Sequence, residues 1–318
     1  MEETTWKKLL KFYGSHGELV GLRIVNNILT AITLGFYYPW AKVSILKYLY
    51  SETEYMGTRF VFHGTGKEVF KGFIKAVLMF GGLYAFLLYS VSSHEPNMLY
   101  IGLAVFYIGC FFLIPLAIHG SYRYRLSRTS WRGIHFGYRG DLKTFFSLYL
   151  KNLFLTIITL GIYSSWMHVA VHSYIRSNIR FGNIEFRYEG KGVDLFLIKL
   201  KGIIFTILTF GIYSFWYYKQ VLAFEVNNTK MIQNGKEIPL KSTLTAGQIF
   251  GMIFTNYLII IFTLGIGTGI AINRALRVAF ENIAFESEID SDVILQTEED
   301  YKDATGDDLA GFLDISII

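Results

Sequence analysis

His168 and His172 stand four residues apart. On a helix that spacing puts both imidazoles on one face, where they could share a transition-metal ion. No carboxylate or third ligand lies near them in sequence, and His119 is remote. The pair is therefore read as lining a polar helix face, with no metal and no cofactor expected. Asn26, Asn152 and Asn256 form a second constellation, each seven residues before a threonine, with Gly202 in the corresponding slot before Thr209. An amide inside an apolar helix is costly unless it is paired. It could hold two helices together by a hydrogen bond, or three such amides could form a polar ring along a path. Arg23 and Lys151 sit near the same level and require a partner, water or the interface. Tyr48, Tyr124 and Tyr174 form a third series, with Phe224 in the fourth slot. Because one member lacks the hydroxyl, the series reads as packing. No GxSxG, HExxH or inward carboxylate pair is found, and GTGKEV (64–69) lacks phosphate-loop spacing. No catalytic residue is assigned.

The elements that must position these groups are apolar. The chain of 318 residues is 52% hydrophobic and 17% charged, against about 25% charged in soluble domains. Residues 76–93 and 98–118 carry no charge, and each approaches or meets the roughly 20 residues that a membrane span needs. Weaker candidates lie at 152–167, 202–218 and 249–273. Cys110, the single cysteine, excludes an intramolecular disulfide and a cysteine-rich metal site; it reads as a small apolar residue in a span. No signal peptide is expected at the N-terminus.

A turn motif recurs: TLGFYYPW from Thr33, TLGIYSSW from Thr159, TFGIYSFW from Thr209 and a decayed TLGIGTGI from Thr263. Its members are Thr33, Gly35, Tyr37 and Trp40; Thr159, Gly161, Tyr163 and Trp166; and Thr209, Gly211, Tyr213 and Trp216. Gly14, Gly140 and Gly190 each precede the turn threonine by 19 residues, and Gly14 to Gly64 and Gly140 to Gly190 are both 50. Self-similarity at such a period signals one supersecondary unit used several times. Alternating aromatic runs close three units: RFVFHG (59–64), IHFGYRG (134–140) and IEFRYEG (184–190). Their period of two is a strand signal. The fourth unit has MIQNGKEIPLKS there instead and departs from the pattern.

The expected fold is a mainly α-helical polytopic membrane protein of about five tandem helical hairpins of ~50 residues, linked by short strands at the cytoplasmic face. The copies cover approximately 12–62, 63–138, 139–188, 189–240 and 241–286 within a transmembrane domain 1–286, with an insertion around SSHEPN (92–97) in the second. Arg59, Arg123, Arg128, Arg176 and Arg187 cluster at the strand ends, while the TLGxY turns carry no Lys or Arg. Positive charge stays cytoplasmic, so the strands and both termini are expected there, with the turns in or across the bilayer. Tyr37, Tyr38, Trp40, Tyr163, Trp166, Tyr213 and Trp216 suit an interfacial belt. From Glu286 onward there are 11 acidic residues and one basic, a charge of −10 against +15 for the rest. Residues 287–318 are read as an acidic, solvated cytoplasmic tail; an alternative docks its apolar end, LAGFLDISII, on the protein.

The FxFxG run followed by the TLGIYxxW turn resembles the YjgN family of bacterial inner-membrane proteins, over about residues 12–285. The family's domain has no established function, and the resemblance brings no catalytic residues to carry over. It implies a multi-pass protein of the bacterial inner membrane. The fifth copy departs from the motif, with Gly267 and Ile270 where Tyr and Trp are expected.

Three functions fit this reading. Repeated hairpins, glycine-broken helices and recurrent intramembrane polar residues suit a transporter or channel for a small solute or ion. A membrane scaffold or regulatory protein, docking through strands and acidic tail, is the alternative. A lipid-modifying enzyme comes last, since no catalytic set is visible. The expected partner is the bilayer, with anionic headgroups attracted to the basic face; nucleic acid is not expected, and a homo-oligomer is compatible with the pattern.

Overall fold

In a computed structural model that describes residues 5–93 and 95–297, pairs of helices alternate with pairs of strands. β1 (Leu10–Phe12) leads into α1 (His16–Ile32) and α2 (Tyr38–Ser51), and β2 (Thr53–Tyr55) returns to pair with β1. The same order follows in β3 (Thr58–Phe62), α3 (Gly66–Ser92), α4 (Pro96–Ser127) and β4 (Thr129–Trp131). It follows again in β5 (Ile134–Tyr138), α5 (Leu142–Ile158), α6 (Ser164–Ser177) and β6 (Ile179–Phe181), and in β7 (Ile184–Tyr188), α7 (Gly192–Leu208), α8 (Ser214–Asn227) and β8 (Thr229–Gln233). β9 (Lys236–Ser242), α9 (Ala246–Phe262), α10 (Thr268–Phe280) and β10 (Ile283–Phe285) follow, and a single 3-10 turn at Ser291–Val293 is the last element among the described residues.

The strands are more than links. Together they make one ten-stranded antiparallel meander in chain order. Lys7 and Phe285 exchange backbone hydrogen bonds, each 2.9 Å, and bring the two ends of the meander together. The expected single strands at 59–64, 134–140 and 184–190 are the second arms of tight hairpins. Their first arms carry only three residues each, too few to show alternation. Met56–Gly57, Arg132–Gly133 and Asn234–Gly235 occupy left-handed backbone at successive positions, the geometry of the two-residue turn that matches strand twist. The expected missing strand of the fourth unit is corrected: KEIPLKS forms β9, seven residues long and paired with both β8 and β10.

The glycine after each aromatic run has a steric cause. A Cβ at Gly64 would lie 2.5 Å from the Phe62 ring, and one at Gly140 2.5 Å from the Tyr138 ring. The ring thus lies over the glycine as the chain turns from sheet to helix. Trp40 and Trp166 press in the same way on Gly66 and Gly192, each 2.4 Å from the missing Cβ. The tryptophan of one hairpin is therefore seated on the first turn of the next.

The TLGxY reversals are closed by hydrogen bonds of their own. Thr33 Oγ1 donates to Leu29 O at 2.7 Å and accepts from Tyr37 N at 2.9 Å. The backbone N–H groups of Leu34, Gly35, Phe36 and Tyr38 all reach carbonyls within the turn. Thr159, Thr209 and Thr263 repeat the threonine arrangement. Gly35, Gly161, Gly211 and Gly265 take positive φ, and so do Leu34, Leu160, Phe210 and Leu264 before them. Those four apolar side chains are 89%, 95%, 98% and 92% exposed. The decayed fourth motif keeps the threonine and glycine and loses Tyr and Trp, which separates what the turn requires from what packs around it.

α3 and α4, with 27 and 32 residues, are long and apolar enough to cross a membrane. The other eight helices among the described residues have 13 to 17 residues. At 1.5 Å per residue these reach about 20–25 Å.

The tail reading requires correction at its start. Ile289 and Ile294 are buried in the core inside the sheet. Gln233 grips the Asp290 backbone through both amide atoms, at 2.7 and 2.8 Å, and Thr297 Oγ1 donates to Gly182 O. The apolar side chains every few residues compete with the acidic ones and win, because the sheet interior offers them burial. LAGFLDISII lies outside the described residues.

Two outcomes follow. Gly140→Ala should lower stability by about 1–3 kcal/mol, because the Tyr138 ring must shift; thermal unfolding in detergent measures it. Thr159→Val preserves shape but orphans the Tyr163 N–H and should cost a similar 1–3 kcal/mol, whereas Thr159→Ser should recover most of the loss.

Candidate functional site

Two places in the structure gather more than packing requires. The first is the interior of the sheet. Strand alternation turns Tyr55, Trp131, Phe181, Ile184, Met231, Ile238 and Phe285 into one buried cluster. Phe136 stacks on Phe181 at 4.3 Å, and Trp131 lies edge-on to both Tyr55 and Phe181. Trp131 Nε1 donates to Tyr55 O and Thr58 O, which settles its polar atom. Burial holds the Tyr55 phenol well above its ordinary range, so it remains protonated. Between this aromatic floor and the lower ends of α2, α4 and α10 lies a chamber of ≈ 510 Å³. Leu49, Leu126, Phe186, Leu240 and Phe280 line it, and Arg125 and Thr129 supply polar atoms on the α4 side. The sequence showed strand aromatics but not this chamber, since residues from all ten strands meet only when the meander curls.

The second place is a polar cluster between α6, α8 and β7. His168 Nε2 lies 2.7 Å from Glu225 Oε1, and His172 Nδ1 lies 3.4 Å from Glu225 Oε2. Arg176 Nη2 donates to Oε2 at 2.6 Å, and the Tyr188 hydroxyl to Oε1 at 3.0 Å. The two imidazoles stack with centroids 4.1 Å apart. The carboxylate missing from the neighbourhood of the histidines in sequence is thus Glu225, brought from the next hairpin. Its ligand atoms and theirs all lie within 4.8 Å of one another.

The asparagines are not brought together. Asn26 donates across its hairpin to Ala41 O at 3.5 Å and Ser44 Oγ at 2.8 Å, and Asn256 to Ala271 O at 3.1 Å. Asn152 instead donates to Leu148 O in its own helix. Each is committed within a hairpin, and none lines the chamber. Arg23 is half-buried and Lys151 exposed. Tyr37, Tyr163 and Tyr213 stack on Trp40, Trp166 and Trp216 at 5.7–6.2 Å, one pair per hairpin. Tyr48 and Tyr174 donate to Ser15 O and Asp141 O, the caps of α1 and α5. Their hydroxyls therefore tie the second helix of a hairpin to the start of the first, beyond the packing expected of them. Cys110 is half-buried in α4.

A membrane-type helical layer built on a ten-stranded sheet, with an apolar chamber, defines the class. A family model described as bacterial protein of unknown function (DUF898) matches residues 7–189 and 220–312. The chain belongs to that family. Among its relatives are proteins named inner membrane protein YjgN. That of Escherichia coli O157:H7 is 28% identical over 205 residues, 54% of this chain and 50% of the relative. Those of Escherichia coli K12 and Salmonella typhimurium LT2 are 33% and 30% identical, each over 42% of this chain and 32% of the relative. The matched stretches span half or less of these relatives' length. No solved structure matches the chain.

Asn26→Leu should cost about 0.5–2 kcal/mol, the worth of one interhelical hydrogen bond in a membrane setting. Chemical or thermal unfolding checks this, and Ser44→Ala in the same background should add little.

Proposed function

We propose that this chain is an inner-membrane protein made of five copies of one strand–helix–helix–strand unit, and that it carries an apolar or amphipathic small molecule in the central chamber. The observation that carries the reading is the chamber's lining: aliphatic and aromatic side chains, with Arg125, Thr129 and Thr53 as polar members. Its size falls in the usual range for small-molecule sites, roughly 300–1,000 Å³. A hydrated ion would find few partners there, whereas an acyl chain with a polar head would find both kinds. The transport class suggested by the repeated hairpins is kept, with a different cargo from the solute or ion first considered.

In this proposal only α3 and α4 cross the bilayer. The four short hairpins enter it from the strand side and turn back, since a helix of about 25 Å falls short of a hydrocarbon core of about 30 Å. The self-bonded turns support this, because lipid-exposed backbone must be satisfied internally, and so do the exposed apolar tips. Both termini lie on the cytoplasmic side with the basic residues. The scaffold reading has its own support: Ile289 lines the chamber, Ile294 packs in the same core, and the acidic Glu288 beside them pairs with Lys7.

Purified protein should release a lipid or fatty acid on denaturation and bind a fluorescent fatty acid at about one per chain. Leu240→Trp, which fills the chamber, should lower that binding at least tenfold with the melting temperature held. Unchanged binding in a folded Leu240→Trp chain refutes the carrier reading and leaves the scaffold. In a Cys110→Ser background, Asn97→Cys should react with an impermeant maleimide from outside intact spheroplasts, and Leu160→Cys should not. Labelling of Leu160→Cys would show that the short hairpins cross.

A further inference from the structure

We propose that His168, His172 and Glu225 bind a divalent transition-metal ion, with zinc the best-suited ion. The site is separate from the chamber: none of the three residues lines it. The donor set is two imidazoles and one carboxylate, which suits zinc and its neighbours and leaves a fourth tetrahedral position for water. The two histidines come from one face of α6 and the glutamate from α8, so an ion here would clasp two neighbouring hairpins.

Geometry supports the assignment. Metal–ligand distances of about 2.0–2.2 Å place tetrahedral ligand atoms roughly 3.3–3.5 Å apart. His172 Nδ1 already stands 3.4 Å from the carboxylate. His168 Nε2 lies 2.7 Å from the other oxygen, Oε1, and must retreat by about 0.6–0.8 Å to reach that separation. The second layer is in place as well. Tyr188 donates to Oε1 and Arg176 to Oε2, and the Arg176 guanidinium lies 4.4 Å from the Tyr188 ring centroid. The Tyr188 hydroxyl is an outer partner of the kind that fixes the orientation of a ligating carboxylate, whereas the Arg176 guanidinium competes with a metal ion for Oε2.

The sequence adds an independent observation. Counting from the turn tryptophan, the slot of His172 holds Leu46 after Trp40 and Leu222 after Trp216; the slot of Glu225 holds Leu49 and Ile175. The slot of His168 holds Lys42 and Tyr218, so the departure from aliphatic packing lies at His172 and Glu225. The competing account is a buried ion pair between Glu225 and Arg176, with the histidines as hydrogen-bond donors. The two accounts differ over Arg176. A metal ion is repelled by the guanidinium, so removing that charge strengthens metal binding, whereas in an ion-pair network it only removes a partner.

The test uses the full chain in detergent, stripped with chelator and titrated with Co²⁺ and then Zn²⁺. The expected result is one Co²⁺ per chain with visible absorption of tetrahedral intensity, displaced by Zn²⁺. His168→Ala, His172→Ala and Glu225→Gln should each weaken binding at least tenfold, and Arg176→Gln should strengthen it at least threefold. A wild-type chain that remains metal-free in tenfold excess Zn²⁺ overturns the proposal. So does a folded His172→Ala chain with wild-type affinity, or a folded Arg176→Gln chain with unchanged or weaker affinity. Should the variants not fold, Zn²⁺ protection of His168 and His172 from diethyl pyrocarbonate in the wild type decides: protection supports the site, and equal modification with and without Zn²⁺ overturns it.

Discussion

The backbone pair between Lys7 and Phe285 is the contact on which the remaining architecture depends. A meander of short strands leaves two open edges, and an open edge beside a bilayer is a costly arrangement. The bridge between Lys7 and Phe285 joins the two ends. The helical layer closes at the same seam: Arg277 Nη2 donates to Gly14 O, Asn273 donates to Ser15 O, and Gly269 lets α10 approach the backbone of α1. The first and last hairpins are thereby neighbours, and the inside of the sheet becomes a place distinct from its outside.

Each hairpin then faces two environments. Its lower end rests on an aromatic floor, where Trp131 and its neighbours are fully buried. The tips of the four short hairpins present a leucine or phenylalanine that is 89–98% exposed. The threonine in the turn reconciles the two, because its hydroxyl both donates and accepts where the chain reverses. Arg128, buried at the foot of α4, is held by Glu68, which also closes the capping box of α3. Charges thus occur where the strands begin, and apolar groups where the helices end.

The polar cluster breaks this division. Glu225 draws His168, His172, Arg176 and Tyr188 together, where the slots of His172 and Glu225 hold aliphatic side chains in the other hairpins that carry the turn tryptophan. A half-buried carboxylate with that many donors is expensive to assemble and strongly destabilising to break. It couples two hairpins through one residue, while the chamber couples all five units through the sheet.

Local chemistry was written into the chain by itself. The turns at Thr33, Thr159, Thr209 and Thr263, the two long apolar helices and the strands with alternating aromatics all follow from spacing and hydropathy over short windows. So does the commitment of Asn26 and Asn256 within hairpins, since their partners lie fifteen residues away. Short first strands such as Thr53–Tyr55 were not legible, because three residues cannot display a period, and KEIPLKS lacked the aromatic pattern although it pairs on both sides. The joining of the sheet's two ends, burial of Ile289 and Ile294, the apolar chamber and the meeting of Glu225 with His168 and His172 were decided only by tertiary structure. Each depends on residues far apart in sequence, and no local propensity reports which distant side chain will satisfy a buried edge, an apolar surface or a carboxylate.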